Sequence, residues 1–292
     1  MNYWSAMADT GGIRKGVPSE ILPGVFVYPD AAEVARGAAR HFVDYAWQSI
    51  ARNGKFMVAL SGGTTPRQMF QLLASDEFRG QVDWAKVHFF WSDERAVPPA
   101  NAESNYGMAR RELLIRVPVP EGNVHRMEAE KPSIGRAAHE YEEVLRENLE
   151  LDDRGFPRFH LIFLGLGKDG HTASLFPGTR APRQTSRWVS TPMVTKLNMR
   201  RMTLTLPVLD AASRVVFLVV GSEKAEILHA VLQGQSDPPY PAQLVQPRDL
   251  GQKLFLVDKA AAAKLTPGAP ENKAAPQAKP AGTTRGRPER ST

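Results

Sequence analysis

Leu161-Ile-Phe-Leu164 is a continuous run of bulky apolar residues that stops abruptly at three glycines, Gly165, Gly167 and Gly170, with Asp169 and His171 set among and just beyond them. So short a run fits a strand buried on both faces of a parallel sheet. Glycines directly after such a strand let the chain turn sharply and bring backbone N–H groups close to a ligand. Open α/β sheets keep their sites at the carboxyl ends of the strands, so chemistry is expected around Asp169 and His171. The spacing Gly-x-Gly-x-x-Gly also satisfies a dinucleotide fingerprint, which calls for an acid about twenty positions on to hold a ribose hydroxyl. No Asp or Glu lies between Asp169 and Asp210, and the interval instead carries Arg180, Arg183, Arg187, Lys196, Arg200 and Arg201. That pattern favours an anionic ligand over a nucleotide ribose. A plain strand-to-helix turn with an incidental histidine is the competing reading of the loop alone.

Three other apolar runs end in the same manner. Phe56–Leu60 leads into Ser61-Gly62-Gly63-Thr64-Thr65-Pro66, where Thr65 is a good N-cap and Pro66 a good first helical residue. The helix that follows, through Met69, Phe70, Leu72 and Leu73, aims free N–H groups and its positive dipole end above the strand. The loop lacks the Lys-Ser/Thr ending of a P-loop, which disfavours a nucleoside triphosphate. Val87–Trp91 runs into Ser92-Asp93-Glu94-Arg95, charges that do not belong in a core and lie where ligands bind; Arg95 suits a phosphate clamp, and Asp93 and Glu94 could orient it or its neighbours. Val215–Val220 precedes Gly221-Ser222-Glu223-Lys224, with Lys224 in the first turn of a helix through Ile227, Leu228 and Leu232, where the dipole disfavours a cation unless an anion sits above it.

Around these lie a short strand at Val25–Val27, a helix opened by Asp30 and Glu33 as a capping box and stopped at Asn53-Gly54, and a helix from Ser104 across Met108, Leu113 and Leu114. A helix over about 134–149, a strand over Met202–Leu206 and a last strand over Lys253–Val257 complete the pattern. Strands alternating with helices predict an α/β chain with a mostly parallel sheet covered on both faces. All four decorated strand ends then open on one side. Each taken alone also fits a capped turn or a surface ion cluster.

The chain has no cysteine, which removes disulfides, thiolate ligands and a cysteine nucleophile and suits a reducing cytoplasm. No apolar run is long enough to span a bilayer. Most of the formal charge of +6 comes from the end of the chain, where Lys264, Lys273, Lys279, Arg285, Arg287 and Arg290 face only Glu271 and Glu289. Residues 1–20 read as a flexible leader, 21–262 as one domain, and 263–292 as a disordered basic tail rich in Pro, Ala and Gly. No basic patch interleaved with aromatics points to specific nucleic-acid binding.

The pieces Ser61-Gly-Gly-Thr-Thr-Pro66, Trp91-Ser-Asp-Glu-Arg95, Glu103-Ser-Asn-Tyr-Gly107, Gly165–Pro177 and Arg201-Met-Thr-Leu-Thr205 together resemble the 6-phosphogluconolactonases, lactone hydrolases of the pentose phosphate pathway. The resemblance covers about residues 25–258 and is most specific in His171-Thr-Ala-Ser-Leu-Phe-Pro177. Related glucosamine-6-phosphate deaminases share the Ser-Gly-Gly loop and an Asp-Gly-His turn but continue differently. The resemblance implies a three-layer α/β/α domain of modified Rossmann type, a monomer or homodimer that uses no metal or organic cofactor and takes a sugar-phosphate lactone. It also implies that His171 is the general base, that Asp169 orients it or the substrate, and that Gly62, Gly63, Thr64, Asp93, Arg95, Gly167, Arg201 and Lys224 bind phosphate and sugar. Two other functions remain consistent with the motifs: a sugar-phosphate isomerase or deaminase, and a non-catalytic sugar-phosphate sensor.

Overall fold

The computed structural model describes residues 18–267. The leader up to residue 17 and the tail from 268 lie outside the described residues. Eleven strands are described: β1 (Ser19–Leu22), β2 (Val25–Tyr28), β3 (Phe56–Leu60), β4 (Val87–Trp91), β5 (Asp93–Arg95), β6 (Leu161–Gly165), β7 (Val189–Ser190), β8 (Met193–Val194), β9 (Met199–Leu204), β10 (Arg214–Val219) and β11 (Gln252–Asp258). The helices are α1 (Ala31–Asn53), α2 (Thr64–Leu73), α3 (Asn105–Ala109), α4 (Ile134–Asn148), α5 (Leu206–Ala211), α6 (Ala225–Leu232) and α7 (Pro241–Leu244).

The main sheet has the order β1-β2-β11-β10-β6-β3-β4, parallel throughout except for β1, which pairs antiparallel with β2 at one edge. From β3 the chain steps outward to β4; from β6 it steps the other way, through β10 to β11. Right-handed crossovers in opposite directions put helices on both faces, which is the three-layer arrangement. The direction reverses between β3 and β6, and such a switch point opens a crevice at the carboxyl ends of the two strands. The apolar runs of β3, β6 and β10 lie inside the sheet, with a neighbour on each side, because strands covered on both faces have no side left for water.

Beneath α1 the core is aromatic. Phe42 is fully buried and meets Phe56 edge-on at 5.3 Å between centroids and Phe89 face-on at 6.1 Å, with Trp84 at 5.9 Å. Phe42→Ala is expected to cost about 3–5 kcal/mol, readable as a lower urea midpoint at unchanged slope; a loss under about 1 kcal/mol would mean that the site collapses around the gap.

Several elements differ from the sequence reading. Strand β1 begins at Ser19, within the stretch taken as leader, because pairing with β2 satisfies its backbone on one side. The α2 cap falls on Gly63 rather than Thr65: Gly63 has φ +114°, which L side chains rarely adopt, and Thr64 is already helical. The helix after Ser104 is only one turn of α-helix followed by a π-turn over Arg110–Leu114, although Ser104 does cap it, accepting from Gly107 N–H at 2.9 Å. Arg201 lies inside β9, and Leu206 opens α5, with Pro207 in the first turn, instead of ending a strand. A second, small antiparallel sheet of β5, β9 and β7, with β8 on β9, was not anticipated; it stands Arg95 opposite Arg201. Among the described residues no helix is long and apolar enough to cross a membrane.

Candidate active site

A cavity of about 480 Å³ opens at the carboxyl ends of the central strands. Its walls draw on all four decorated strand ends: Ser61 to Pro66 after β3, Asp93 and Arg95 on β5, Gly165 to Lys168 with His171 after β6, and Glu223 with Lys224 after β10. Of the ten residues singled out from sequence, Gly62, Gly63, Thr64, Asp93, Arg95, Gly167, His171 and Lys224 line this space; Asp169 and Arg201 do not. The His171 ring and the Arg95 and Lys224 cations therefore share one mouth.

His171 is held from two sides. Its Nδ1 bonds the Asp169 carboxylate, and its ring stacks on Phe176 with centroids 3.9 Å apart. A carboxylate acceptor fixes the proton on Nδ1, which leaves Nε2 with the lone pair. Burial lowers the imidazole's proton affinity, and this outweighs the opposing pull of Asp169. The ring is thus neutral at neutral pH. Burial pushes Asp169 up, yet the hydrogen bonds from Lys196 and His171 hold it down at about 2, so it stays ionised. The loop is tied to the strand by Thr172, whose hydroxyl donates to the Gly165 carbonyl at 2.9 Å, and by the Gly167 N–H, which donates to the His171 carbonyl at 2.8 Å.

Asp93 is fixed by Ser174 Oγ at 2.6 Å and by Asn105 Nδ2, which also donates to the Asp93 carbonyl at 2.9 Å. Asn105 is packed so tightly against the loop after β3 that a Cβ at Gly62 would stand 1.9 Å from its Oδ1, which explains glycine there. Glu94 corrects the sequence reading of 92–95: it is buried, lies outside the cavity wall and accepts from the N–H groups of Arg95, Asn105 and Tyr106 and from Ser104 Oγ. Burial pushes its carboxyl up and those backbone donors oppose the shift. Its position is set by the chain's need to anchor the turn before α3, not by a ligand.

Lys224 closes a 3-10 turn at the cap of α6, and its ammonium donates to the Leu166 carbonyl at 2.8 Å, bracing the glycine loop from across the cavity. Burial lowers its proton affinity. The turn at Gly221 is itself held by Asp258, whose carboxylate accepts the Gly221 N–H at 3.1 Å. Arg95 gives its Nη1 to the Glu103 carbonyl, while the Nε–H groups of Arg95 and Arg201 are buried without a hydrogen-bond partner. Two guanidinium groups at facing register positions repel one another unless an anion joins them; burial, and then Arg95, lower the proton affinity of Arg201. Among the described residues no three His, Asp or Glu side chains gather as metal ligands do.

Asn105, Ser174, Asp258, Phe176 and Lys196 carry this geometry and were not singled out as site residues. Asn105, Ser174 and Phe176 fall inside motifs already quoted, yet no local period marks an Asn that braces a loop from over forty residues away. Lys196 had only its place in the acid-free interval to recommend it.

A family model for glucosamine-6-phosphate isomerases/6-phosphogluconolactonase matches residues 29–255. The chain is 39% identical over 221 residues to a protein of Synechocystis sp. named 6-phosphogluconolactonase, covering 75% of this chain and 89% of that one. It is 36% identical over 234 residues to the chloroplastic 6-phosphogluconolactonase 3 of Arabidopsis thaliana, covering 78% of this chain and 70% of that one. The solved 6-phosphogluconolactonase of Trypanosoma brucei superposes with a TM-score of 0.75 at 29% identity, covering 85% of this chain and all of that one. A match over most of the chain, at such identity and with the same fold, shows that this protein belongs to the glucosamine-6-phosphate isomerase/6-phosphogluconolactonase family.

Proposed function

We propose that this chain hydrolyses 6-phospho-glucono-1,5-lactone to 6-phosphogluconate, with His171 as the general base that activates water. The observation that carries this is the His171 imidazole, neutral, with Nδ1 committed to Asp169, in the wall of a cavity whose other walls supply Arg95, Lys224 and the start of α2. The relatives named as lactonases support the reaction class.

The chemistry asks for little more. A sugar lactone is an activated ester, so water needs no covalent intermediary. Nε2 takes a proton from water as its oxygen bonds to the lactone carbonyl carbon; the carbonyl electrons move onto oxygen, where the Lys224 ammonium or the backbone N–H groups of the glycine loop stabilise the charge. Collapse of that intermediate breaks the bond to the ring oxygen, which takes the proton back from His171. The phosphate, remote from the reacting carbon, is read by Arg95, whose buried Nε–H group lacks a partner, and by the first N–H groups of α2, which have no intrahelical acceptor. Gripping the ring at its far end is what brings the water to attacking distance. Ser61 is not the nucleophile: its hydroxyl is spent on the Phe163 carbonyl at 2.7 Å and on Ser92.

The test is a coupled assay in which glucose-6-phosphate dehydrogenase generates fresh lactone and acid release is compared with the spontaneous rate. Acid release well above background is expected. Ammonia release from glucosamine 6-phosphate, with lactone loss at the spontaneous rate, would instead assign the chain to the deaminase side of its family. In the same assay Arg95→Met should raise KM for lactone at least tenfold, since a hydrogen bond to a charged group contributes about 1.5–3 kcal/mol, while kcat changes less.

A further inference from the structure

Lys196 lies on the 3-10 turn between β8 and β9, well away in sequence from the loop after β6. Its ammonium reaches the second oxygen of the Asp169 carboxylate, the first being bonded to His171. The same ammonium stands 4.9 Å from the centroid of Phe176, the ring on which the His171 imidazole stacks. Asp169, His171, Phe176 and Lys196 thus form a closed box in which each member touches two others, and only His171 lines the cavity.

We propose that Lys196 is a positioning residue: through Asp169 and the Phe176 ring it fixes how the His171 imidazole is turned and keeps it in the neutral form that can accept a proton. The proposal rests on His171 being the base. An exposed pair of a lysine and a carboxylate contributes little by itself. This one differs because the carboxylate is shared with a partly buried ring, so the cation acts on the imidazole both directly and by taking up part of the carboxylate's charge. Both actions have the same sign. The charged groups that face the ring are Asp169 on its own loop and Asp93 on β5, which favour the imidazolium, and Lys196, which opposes it. Removing Lys196 takes away the one cation bonded to Asp169, so both acids act on the ring more strongly and the imidazole then binds its proton more tightly.

The experiment compares wild type, Lys196→Met and Lys196→Arg in two readouts. The first is kcat and KM for lactone hydrolysis across pH. The second is an NMR titration of the His171 ring, assigned by the loss of its signal in His171→Ala. In Lys196→Met the acidic limb of kcat and the NMR titration should both move to higher pH, with KM unchanged and kcat several-fold lower at about pH 6, where imidazole protonation matters most. Lys196→Arg should return both to wild-type values, which a merely structural role would not require. A limb and titration that stay in place in Lys196→Met overturn the proposal. So does a raised KM with an unmoved limb, which would mean that the ammonium grips substrate directly. Because the NMR titration needs no turnover, it decides the role of Lys196 even if His171→Ala proves fully active and the base assignment falls.

Discussion

Replacing His171 with alanine is expected to lower kcat for lactone hydrolysis by about 10²–10⁴-fold, the usual contribution of a positioned general base. KM and thermal stability should change little, because the ring touches Asp169 and Phe176 but belongs to neither the main core nor the phosphate grip. The residual rate should come from the cations and backbone donors that remain. In the wild-type enzyme the sign of the pH dependence follows from the ring's surroundings. Below its pKa the imidazolium cannot accept a proton from water, so activity rises with pH through that value. Burial sets the value below that of an ordinary histidine, so the rise should fall at lower pH than it would for a free imidazole. Asp169, held at about 2, contributes no second limb near neutrality. Unchanged turnover in His171→Ala would remove the base assignment altogether.

Gly167→Ala should be nearly as damaging by a different route. A Cβ at that position would stand 2.0 Å from His171 Nδ1 and 2.8 Å from Asp169 Oδ1, inside contact distance of both. The backbone of Gly167 is not among those with positive φ, so alanine suits the local conformation and the fold should tolerate it. Relief then has to come from the imidazole and the carboxylate, which must swing away from their hydrogen bond. A displacement of about 1 Å at a reacting group costs on the order of 10²-fold in rate. The expected result is a variant that melts close to wild type, binds 6-phosphogluconate normally and turns over about a hundredfold more slowly. A variant with wild-type kcat would show that the loop shifts as a unit and carries His171 with it. A variant that unfolds would instead place the strain in the packing of β6.

These two residues also mark how far the chain could be read unaided. Apolar runs ending in glycine and charge are local signals, and each of the four appears as a strand with a turn or helix behind it. Parallel pairing then forces their ends to one side of the sheet, so the shared cavity followed from pattern alone. Glu94 shows where that inference overreached. Its charge, read as facing a ligand, is buried under the backbone donors of Arg95, Asn105 and Tyr106, a role that depends on a turn whose path no periodicity reveals. The antiparallel sheet of β5, β9 and β7 was hidden for a related reason: alternation marks a strand at Met202–Leu206, but β5 and β7 have only three and two residues, too few to display it, and β5 pairs with β9 from more than a hundred residues away.

By itself the order of residues determined the strand–helix alternation, the four loops and the identity of the imidazole and cations on them, because hydrophobic periodicity and glycine geometry act over a few neighbouring residues. The tertiary structure alone decided which groups back the imidazole: that Lys196 closes on Asp169, that Phe176 floors the ring, that Asn105 holds Asp93 and packs on Gly62, and that Arg201 faces Arg95. Those contacts join residues brought together only by the packing of distant segments, and the energy of a shared carboxylate or a stacked ring exists only once that packing has excluded water.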